Sequence, residues 1–150
     1  MKTLILICAC YLIFTACATT KPNTKMEQLP NSNQTNSELL VAQIGKSAVS
    51  ESFTIQEASI NGNVLRVTVS YSGGCGNHQF ELVGSPNISK SLPPIRSIEL
   101  VHQSNGDACK EKMEETLLIN ISNLAYKQEA GSVIKLNLSG WKEQLIYTYQ

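Results

Sequence analysis

The segment NVLRVTVSY, residues 63–71, alternates apolar and polar side chains from residue 65 to its end. One face would carry Leu65, Val67, Val69 and Tyr71, and the other Arg66, Thr68 and Ser70. Successive side chains of a strand point to opposite faces of a sheet, so this period predicts a half-buried β-strand. The upstream segment ESFTIQEASI, residues 51–60, is predicted to be its hairpin partner. Asn61-Gly62 between them suits the positive φ values of a tight turn.

The same alternation recurs in five later segments, separated by the turn-forming stretches SPN, LPP, SNG and EAGS. These segments are HQFELVG, RSIELVHQ, EETLLINI, SVIKLNLSG and QLIYTYQ. A helical period is visible only weakly, in residues 37–44, where a strand is preferred, and in residues 108–115, where a single helical turn is considered. About seven short strands without helices between them predict an antiparallel β-sandwich of the immunoglobulin-like kind.

The N-terminus has the pattern of a secretion signal. Lys2 precedes the apolar run LILICACYLIF, residues 4–14. This run is shorter than the about 20 residues that a membrane-spanning helix needs, and it has the length of a signal-peptide core. The segment FTAC, residues 14–17, resembles the lipobox of bacterial lipoproteins, in which cleavage precedes a diacylglycerol-modified cysteine. Phe14 departs from the usual aliphatic residue, and cleavage after Ala18 is the alternative. The chain is therefore predicted to have a lipoprotein signal peptide in residues 1–16 and a lipidated Cys17.

A tether is predicted between the lipid and the folded domain. Residues 18–37 are rich in Asn, Thr, Ser, Lys and Pro, with few large apolar side chains to repay the entropy of ordering. We expect a disordered tether over residues 17–37 and one β-sandwich domain over residues 38–150. Each buried methylene contributes about 0.8 kcal/mol, so two or more acyl chains anchor a protein stably. Because no aspartate lies close to Cys17, the sorting rules of bacterial lipoproteins imply the outer membrane of the cell envelope.

Composition narrows the classes of function. The 12 Lys and Arg residues balance the 12 Asp and Glu residues, and they form no basic run. Nucleic-acid binding is therefore not expected. Asp107 is the only aspartate in the chain, and this scarcity argues against catalysis by paired carboxylates. The chain is predicted not to be an enzyme and to need no cofactor.

Two glycine-containing motifs carry the remaining chemistry, GGCGNHQF with Cys75 and His78, and HQSNGDAC with His102 and Cys109. Each histidine has the parity of the inward-facing residues of its strand, so both imidazoles are expected on the core side near strand ends. The two cysteines would then lie in loops at the same end of the sandwich. The glycines around Cys75 are expected to provide positive φ or close backbone approach.

Three interpretations of these residues compete. An oxidising envelope favours a disulfide between Cys75 and Cys109, worth about 3–4 kcal/mol in the chain-entropy model. Alternatively, Cys75, His78, His102 and Cys109 form a Cys2His2 site for zinc or copper, with Asp107 hydrogen-bonded to a ligating histidine. The third interpretation is a Cys75 thiolate activated by a histidine and oriented by Asp107, which requires a thiol that stays reduced. The disulfide is the preferred interpretation.

The motifs GGCGNHQF and HQSNGDAC, followed by EETLLINIS, resemble a group of small secreted bacterial lipoproteins of unassigned function. In that group the pattern is GGC-x2-H-x-F, then H-x3-GD-x-C, then a strand. The match covers roughly residues 65–125. The resemblance implies a shared cysteine-histidine end and a secreted lipoprotein, and it implies no activity.

The function predicted from the sequence is that of a membrane-anchored envelope lipoprotein. Its lipid would insert into the membrane, and its β-sandwich would bind or support another envelope component. One alternative is a metal-handling protein that holds zinc or copper through the four cysteines and histidines. Another is a protease inhibitor that presents residues 85–97, in which Pro93-Pro94 stiffens the loop.

Overall fold

The computed structural model describes residues 38–150. The predicted signal peptide, Cys17 and tether lie outside the described residues. The described chain forms nine strands and one short 3-10 helix. Their bounds are β1 Leu39–Val41, β2 Gln43–Ile44, β3 Phe53–Asn61, β4 Val64–Gly73, β5 Gln79–Ser89, β6 Ile95–Gln103, β7 Glu111–Asn120, the 3-10 helix Ser122–Leu124, β8 Val133–Leu138 and β9 Leu145–Thr148. No helix among these residues has the length and apolar content needed to span a bilayer.

The strands form a four-stranded sheet in the order β1-β7-β4-β3 and a five-stranded sheet in the order β2-β5-β6-β8-β9. The all-β prediction is confirmed. The prediction of about seven strands in antiparallel, immunoglobulin-like sheets needs correction, because immunoglobulin-like sheets contain only antiparallel pairs and this chain has nine strands with parallel pairs among them. Both sheets are mixed, because β1 runs parallel to β7, β2 to β5 and β6 to β8. Alternation of side chains has the same period in parallel and antiparallel strands, so it does not specify strand direction.

The predicted central hairpin is present. β3 and β4 pair antiparallel from Phe53↔Tyr71 to Asn61↔Val64, and Gly62 in the turn has a φ of 57°. The inward side chains of β4 lie at the centre of the core, where Leu65, Val67 and Val69 are fully buried. These three side chains are buried because β4 lies between β3 and β7 in its sheet and faces the other sheet.

The segment before the hairpin closes one side of the sandwich. Leu39–Val41 pairs with the end of β7, and Gln43–Ile44 pairs with β5 in the other sheet. Between them Ala42 is fully buried and donates its backbone N–H to the Asn120 carbonyl at 2.9 Å. The preferred strand prediction for this segment is therefore confirmed, with one residue as the crossing between sheets.

Two further expectations need correction. The helical turn considered for residues 108–115 is absent, because β7 begins at Glu111 and pairs with β4 along its whole length. The segment 85–97, considered as an inhibitory loop, is mostly strand, since β5 continues to Ser89 and β6 begins at Ile95. Only residues 90–94 form the connection, and a long protease-binding loop is not formed there.

Candidate functional site

Two connections cross between the sheets at one end of the fold. Residues 74–78 lead from β4 to β5, and residues 104–110 lead from β6 to β7. We call them the 74–78 crossing and the 104–110 crossing. They lie side by side because the strands that flank them are paired, Gly73 with Glu111 in one sheet and Gln79 with Gln103 in the other. Ladder pairing therefore brings the two sequence motifs together.

A disulfide joins the two crossings. Cys75 and Cys109 are bonded, with their Cα atoms 5.9 Å apart and 34 positions apart in sequence. This geometry fits the preferred prediction for the two cysteines. Because the sulfurs are bonded to each other, neither is a thiolate that could bind a metal or attack a substrate. A carboxylate oxygen of Asp107 and the sulfur atoms of Cys75 and Cys109 lie within 4.8 Å of one another, but both sulfurs belong to the disulfide.

The carboxylate of Asp107 lies between the crossings, and its side chain is 1% exposed. Its Oδ2 accepts the backbone N–H groups of Cys75 at 3.0 Å and Gly76 at 2.8 Å, and its Oδ1 accepts that of Cys109 at 2.8 Å. The hydrogen bond from Cys109, followed by that from His78, holds the pKa of Asp107 well below its usual range. This aspartate therefore links both crossings as an anion at neutral pH.

The two histidines continue from Asp107 as a hydrogen-bonded chain. Asp107 Oδ2 lies 3.1 Å from His78 Nε2, and His78 Nδ1 lies 2.8 Å from His102 Nε2. Since a carboxylate only accepts, Nε2 of His78 carries a proton. With both rings in a neutral tautomer, Nδ1 of His78 accepts the Nε2 proton of His102. This assignment leaves Nδ1 of His102 unprotonated, and that buried atom has no hydrogen-bond partner. Burial, and next the neighbouring His78, lower the pKa of His102, which favours its neutral form.

Aromatic side chains surround the histidine pair. The ring of Phe80 stacks on His102 at 4.5 Å with an interplanar angle of 11°. Tyr71 packs on His78 at 4.5 Å, and Phe53 meets His102 edge-on at 6.0 Å. Both imidazoles face the core side, as their strand parity predicts, and only 1% of His102 is exposed. The rings cover most of the hydrogen-bonded chain, and the side chain of His78 is 4% exposed.

The glycines near Cys75 answer steric needs. A Cβ on Gly73 would collide with the imidazole of His78, and one on Gly76 would come within 3.0 Å of Asp107 Cβ. These glycines therefore let the backbone approach the buried side chains closely; a side chain at Gly73 would displace His78, and one at Gly76 would require Asp107 to shift slightly. Asn105 adds a further bond between the crossings by donating its side-chain amide to the Asn77 carbonyl at 2.8 Å.

The cluster is a scaffold rather than a reactive centre. Both nitrogens of His78 are engaged, and the free nitrogen of His102 is buried. A general base must reach the proton that it removes, and a nucleophile must be free to react. Neither condition is met by the histidines and the disulfide sulfurs in this arrangement. The structure thus brings together all five predicted residues, and their geometry does not support the proposed thiolate nucleophile.

A cleft of about 560 Å³ lies beside the 74–78 crossing, along the first half of β5 and the middle of β7. We call it the acidic cleft, because its lining includes Glu38, Glu81 and Glu115 and neither lysine nor arginine. His78 also reaches it, so the scaffold and the cleft are contiguous. Alternation in the sequence did not reveal the cleft. Its three glutamates come from distant positions of the sequence, 38, 81 and 115, and only the last lies in the acidic segment EKMEE.

The carboxylate of Glu115 belongs to the same aromatic environment. Tyr71 donates its hydroxyl proton to Glu115 Oε2 at 2.9 Å. Burial, and next the bond to Glu115, raise the pKa of Tyr71 to about 12. Tyr71 is therefore neutral at physiological pH and remains a hydrogen-bond donor to the cleft.

Comparison with known proteins relates the chain to others by fold only. No protein-family model matches it, and no curated protein matches its sequence. A NigD-like immunity protein from Bacteroides caccae has a similar fold, with a TM-score of 0.56 and 12% identity over 75% of this chain and 64% of that one. A protein of unknown function, DUF1344, from Bacteroides vulgatus gives a TM-score of 0.51 and 16% identity over 75% of this chain and 58% of that one. This chain therefore spans less than two thirds of the length of either structure.

Proposed function

We propose that this chain is a lipid-anchored protein of the bacterial envelope, held in the outer membrane through Cys17, whose β domain binds another envelope protein and catalyses no reaction. The observation that supports a binding role is the locked pair of crossings beside an open cleft. A disulfide, three backbone bonds to Asp107 and the buried histidine chain hold these loops. A recognition surface held rigidly before binding loses less conformational entropy on association.

The chemistry of the crossings supports binding over catalysis. Three residues that the sequence offers for catalysis instead hold the crossings together: Cys75, His78 and Asp107. Loops on a rigid scaffold commonly carry recognition. One solved protein with a similar fold is named an immunity protein, which agrees with a function other than catalysis; at 12% identity this support comes from the fold alone.

The disulfide supports the proposed location. Disulfides persist in oxidising compartments such as the bacterial periplasm and the cell surface, and they are rare where thiols are kept reduced. The bond between Cys75 and Cys109 therefore agrees with a secreted domain and with the lipobox-like FTAC segment before it. The resemblance to small secreted lipoproteins points to the same compartment.

Fatty-acid labelling tests the anchor. Cells fed an alkyne-bearing fatty acid should label the wild-type chain, and Cys17→Ser should abolish the label. Cys10→Ser, a change inside the predicted signal peptide, is the matched control and should keep it. A wild-type chain without label, or a Cys17→Ser chain that still carries it, would contradict the lipid anchor.

Site-specific crosslinking tests the binding function. A photo-crosslinking amino acid placed at the exposed Asn77, which lines the cleft, should give a discrete protein adduct in living cells. The same amino acid at the exposed Glu129, beyond the opposite end of β7, is the control and should give none. Identical adducts from both positions, or none from Asn77, would count against a binding surface beside the crossings.

A further inference from the structure

The acidic cleft contains strand edges that lack a partner. β7 pairs with β4 over all of Glu111–Asn120 but with β1 only at Leu118–Asn120. β5 is covered by β2 only at Val83 and Gly84. Within residues 38–150, the outer edges of Glu111–Leu117 and Gln79–Leu82 therefore pair with no further strand. Such edges offer backbone N–H and C=O groups in the spacing that an extended chain matches.

The charge of the cleft indicates what kind of chain would fit. Its three lining glutamates have no lysine or arginine beside them in the lining. Lys112 on β7 has the parity of Glu114 and lies on the other face of the strand from Glu115. Among the described residues, the only contact within ion-pair distance is that between His78 and Asp107, so no lysine or arginine pairs with the cleft glutamates there.

Glu115 is the carboxylate that a cation would neutralise. It is half-buried, shares the inward parity of Leu117 and accepts one hydrogen bond, from Tyr71. Enclosing a carboxylate without a cation costs free energy, and an incoming ammonium or guanidinium group removes that cost. Apolar side chains of Leu40, Phe80 and Leu117 line the same cleft and would contact the methylene stem of a lysine or arginine.

We propose that the acidic cleft binds an extended, lysine- or arginine-containing segment of the partner protein, which pairs with the outer edge of β7 or β5 and places one cationic side chain against Glu115. The proposal rests on the binding function proposed above and specifies its partner chemistry. Backbone pairing provides the register, and the charged side chain provides selectivity for a basic segment over a neutral or acidic one.

Peptide titration followed by amide chemical shifts tests the proposal on the full chain in detergent micelles. The probe is a short synthetic peptide that alternates lysine and threonine, with matched peptides in which glutamine or glutamate replaces every lysine. The lysine peptide should bind and shift the amides of Gln79–Leu82 and Glu111–Leu117. Glu115→Gln should weaken it about tenfold, the size expected for one desolvated charge pair. Glu129→Gln, an exposed glutamate at the other end, should leave the affinity unchanged.

Several results would overturn the proposal. If the glutamine peptide binds equally well, charge does not determine binding. If the shifted amides lie elsewhere on the domain, the peptide does not bind in the acidic cleft. Free spermidine has no backbone, so spermidine that binds as tightly as the lysine peptide and shifts the same edge amides would show that strand pairing is not involved. Protection of the β7 edge amides that disappears on deleting residues 18–36 would identify the chain's own tether as the occupant. Self-association that Glu115→Gln abolishes would identify a second copy of the chain.

The crosslinking experiment separates failure of this proposal from failure of the proposed function. If the lysine peptide does not bind while Asn77 still forms its adduct in cells, the partner chemistry is wrong and the binding function stands. If neither result is obtained, both are wrong. The same crosslinking repeated with Glu115→Gln should lower the yield of the Asn77 adduct and leave the amount of folded protein unchanged.

Discussion

The two ends of β6 bury polar side chains in opposite ways. Near the start of the strand, Arg96 is 4% exposed, and its guanidinium donates to the backbone carbonyls of Leu124, at 3.1 Å, and of Ser85. At the other end, His102 is 1% exposed and belongs to a chain that terminates at Asp107. Backbone carbonyls thus hold a cation at one end, and backbone N–H groups hold an anion at the other.

This difference indicates which end of β6 can respond to pH and redox conditions. Burial lowers the pKa of Arg96, but arginine remains protonated in proteins, so the Arg96 end keeps its charge at every physiological pH. The crossing end combines a disulfide, which reductants cleave, with His102 and Asp107, whose pKa values the folded chain lowers. Sensitivity to redox state and to acid should therefore be confined to the crossings, which lie beside the acidic cleft.

Removal of the disulfide should have the largest effect. The double variant Cys75→Ser with Cys109→Ser should lose about 3–4 kcal/mol of unfolding free energy, because the unfolded chain is no longer constrained by a closed loop. Urea unfolding monitored by circular dichroism measures the loss. Wild type treated with reductant is the control and should reach the same stability. A loss below about 1 kcal/mol would show that the noncovalent bonds hold the crossings alone.

Arg96→Met should follow, with a loss of about 2–3 kcal/mol, because a buried and a part-buried carbonyl lose their donors while the apolar stem is retained. Arg66→Met, on the exposed face of β4, is the matched control and should change stability by less than about 0.5 kcal/mol. Reductant should not alter the difference between Arg96→Met and wild type. Equal effects of the two arginine variants would show that burial of the guanidinium does not stabilise this end.

Asp107→Asn should destabilise less than loss of the disulfide, and it should change the response to acid. The folded chain lowers the pKa of Asp107 below its ordinary value of 3.8, so its contribution is complete above that value and is lost as pH falls toward the folded-state pKa. The variant should therefore be less stable than wild type near neutrality and show a shallower decline at acidic pH. Urea midpoints measured across this range test the difference, with Glu129→Gln as control; parallel curves would contradict it.

His102→Gln should have the smallest effect on stability, visible as a change in the slope of unfolding free energy against pH. Because the folded chain lowers the pKa of His102, the unfolded chain takes up a proton near about pH 6.5 before the folded chain does. Wild-type stability should therefore fall as pH is lowered from about 7 to about 5, and the variant should show a flatter profile. Glutamine can still donate to His78, which limits the loss at neutral pH. An unchanged slope would assign the titration to other groups.

Much of the fold could be predicted from alternation. The inward residues of β4 and the hairpin turn at Gly62 are where the pattern places them, and β7 includes the predicted strand at Leu117 and Ile119. The start of β7 was not predicted as strand, because ACKEKMEE has few apolar side chains. It pairs with β4 through its backbone, and its glutamates lie at an uncovered edge.

Less of the site could be predicted. Parity placed His78 and His102 on the core side, and the secreted context favoured the disulfide. Nothing local indicated that His78 would bond directly to His102, or that Arg96 would be buried at the other end of the same strand. Those contacts depend on carbonyls and side chains contributed by distant segments, such as Leu124 for Arg96.

By itself, the sequence determined that this chain has an all-β domain and that two cysteines and two histidines lie at strand ends, since side-chain alternation is a property of each strand alone. Only the tertiary structure decided the direction of β1, β2 and β8, the bond between the crossings and the acidic cleft. The physical reason is that the direction of pairing, and whether a strand edge is paired at all, depend on which distant segment supplies the opposing backbone hydrogen bonds. A local pattern of side chains does not identify that segment.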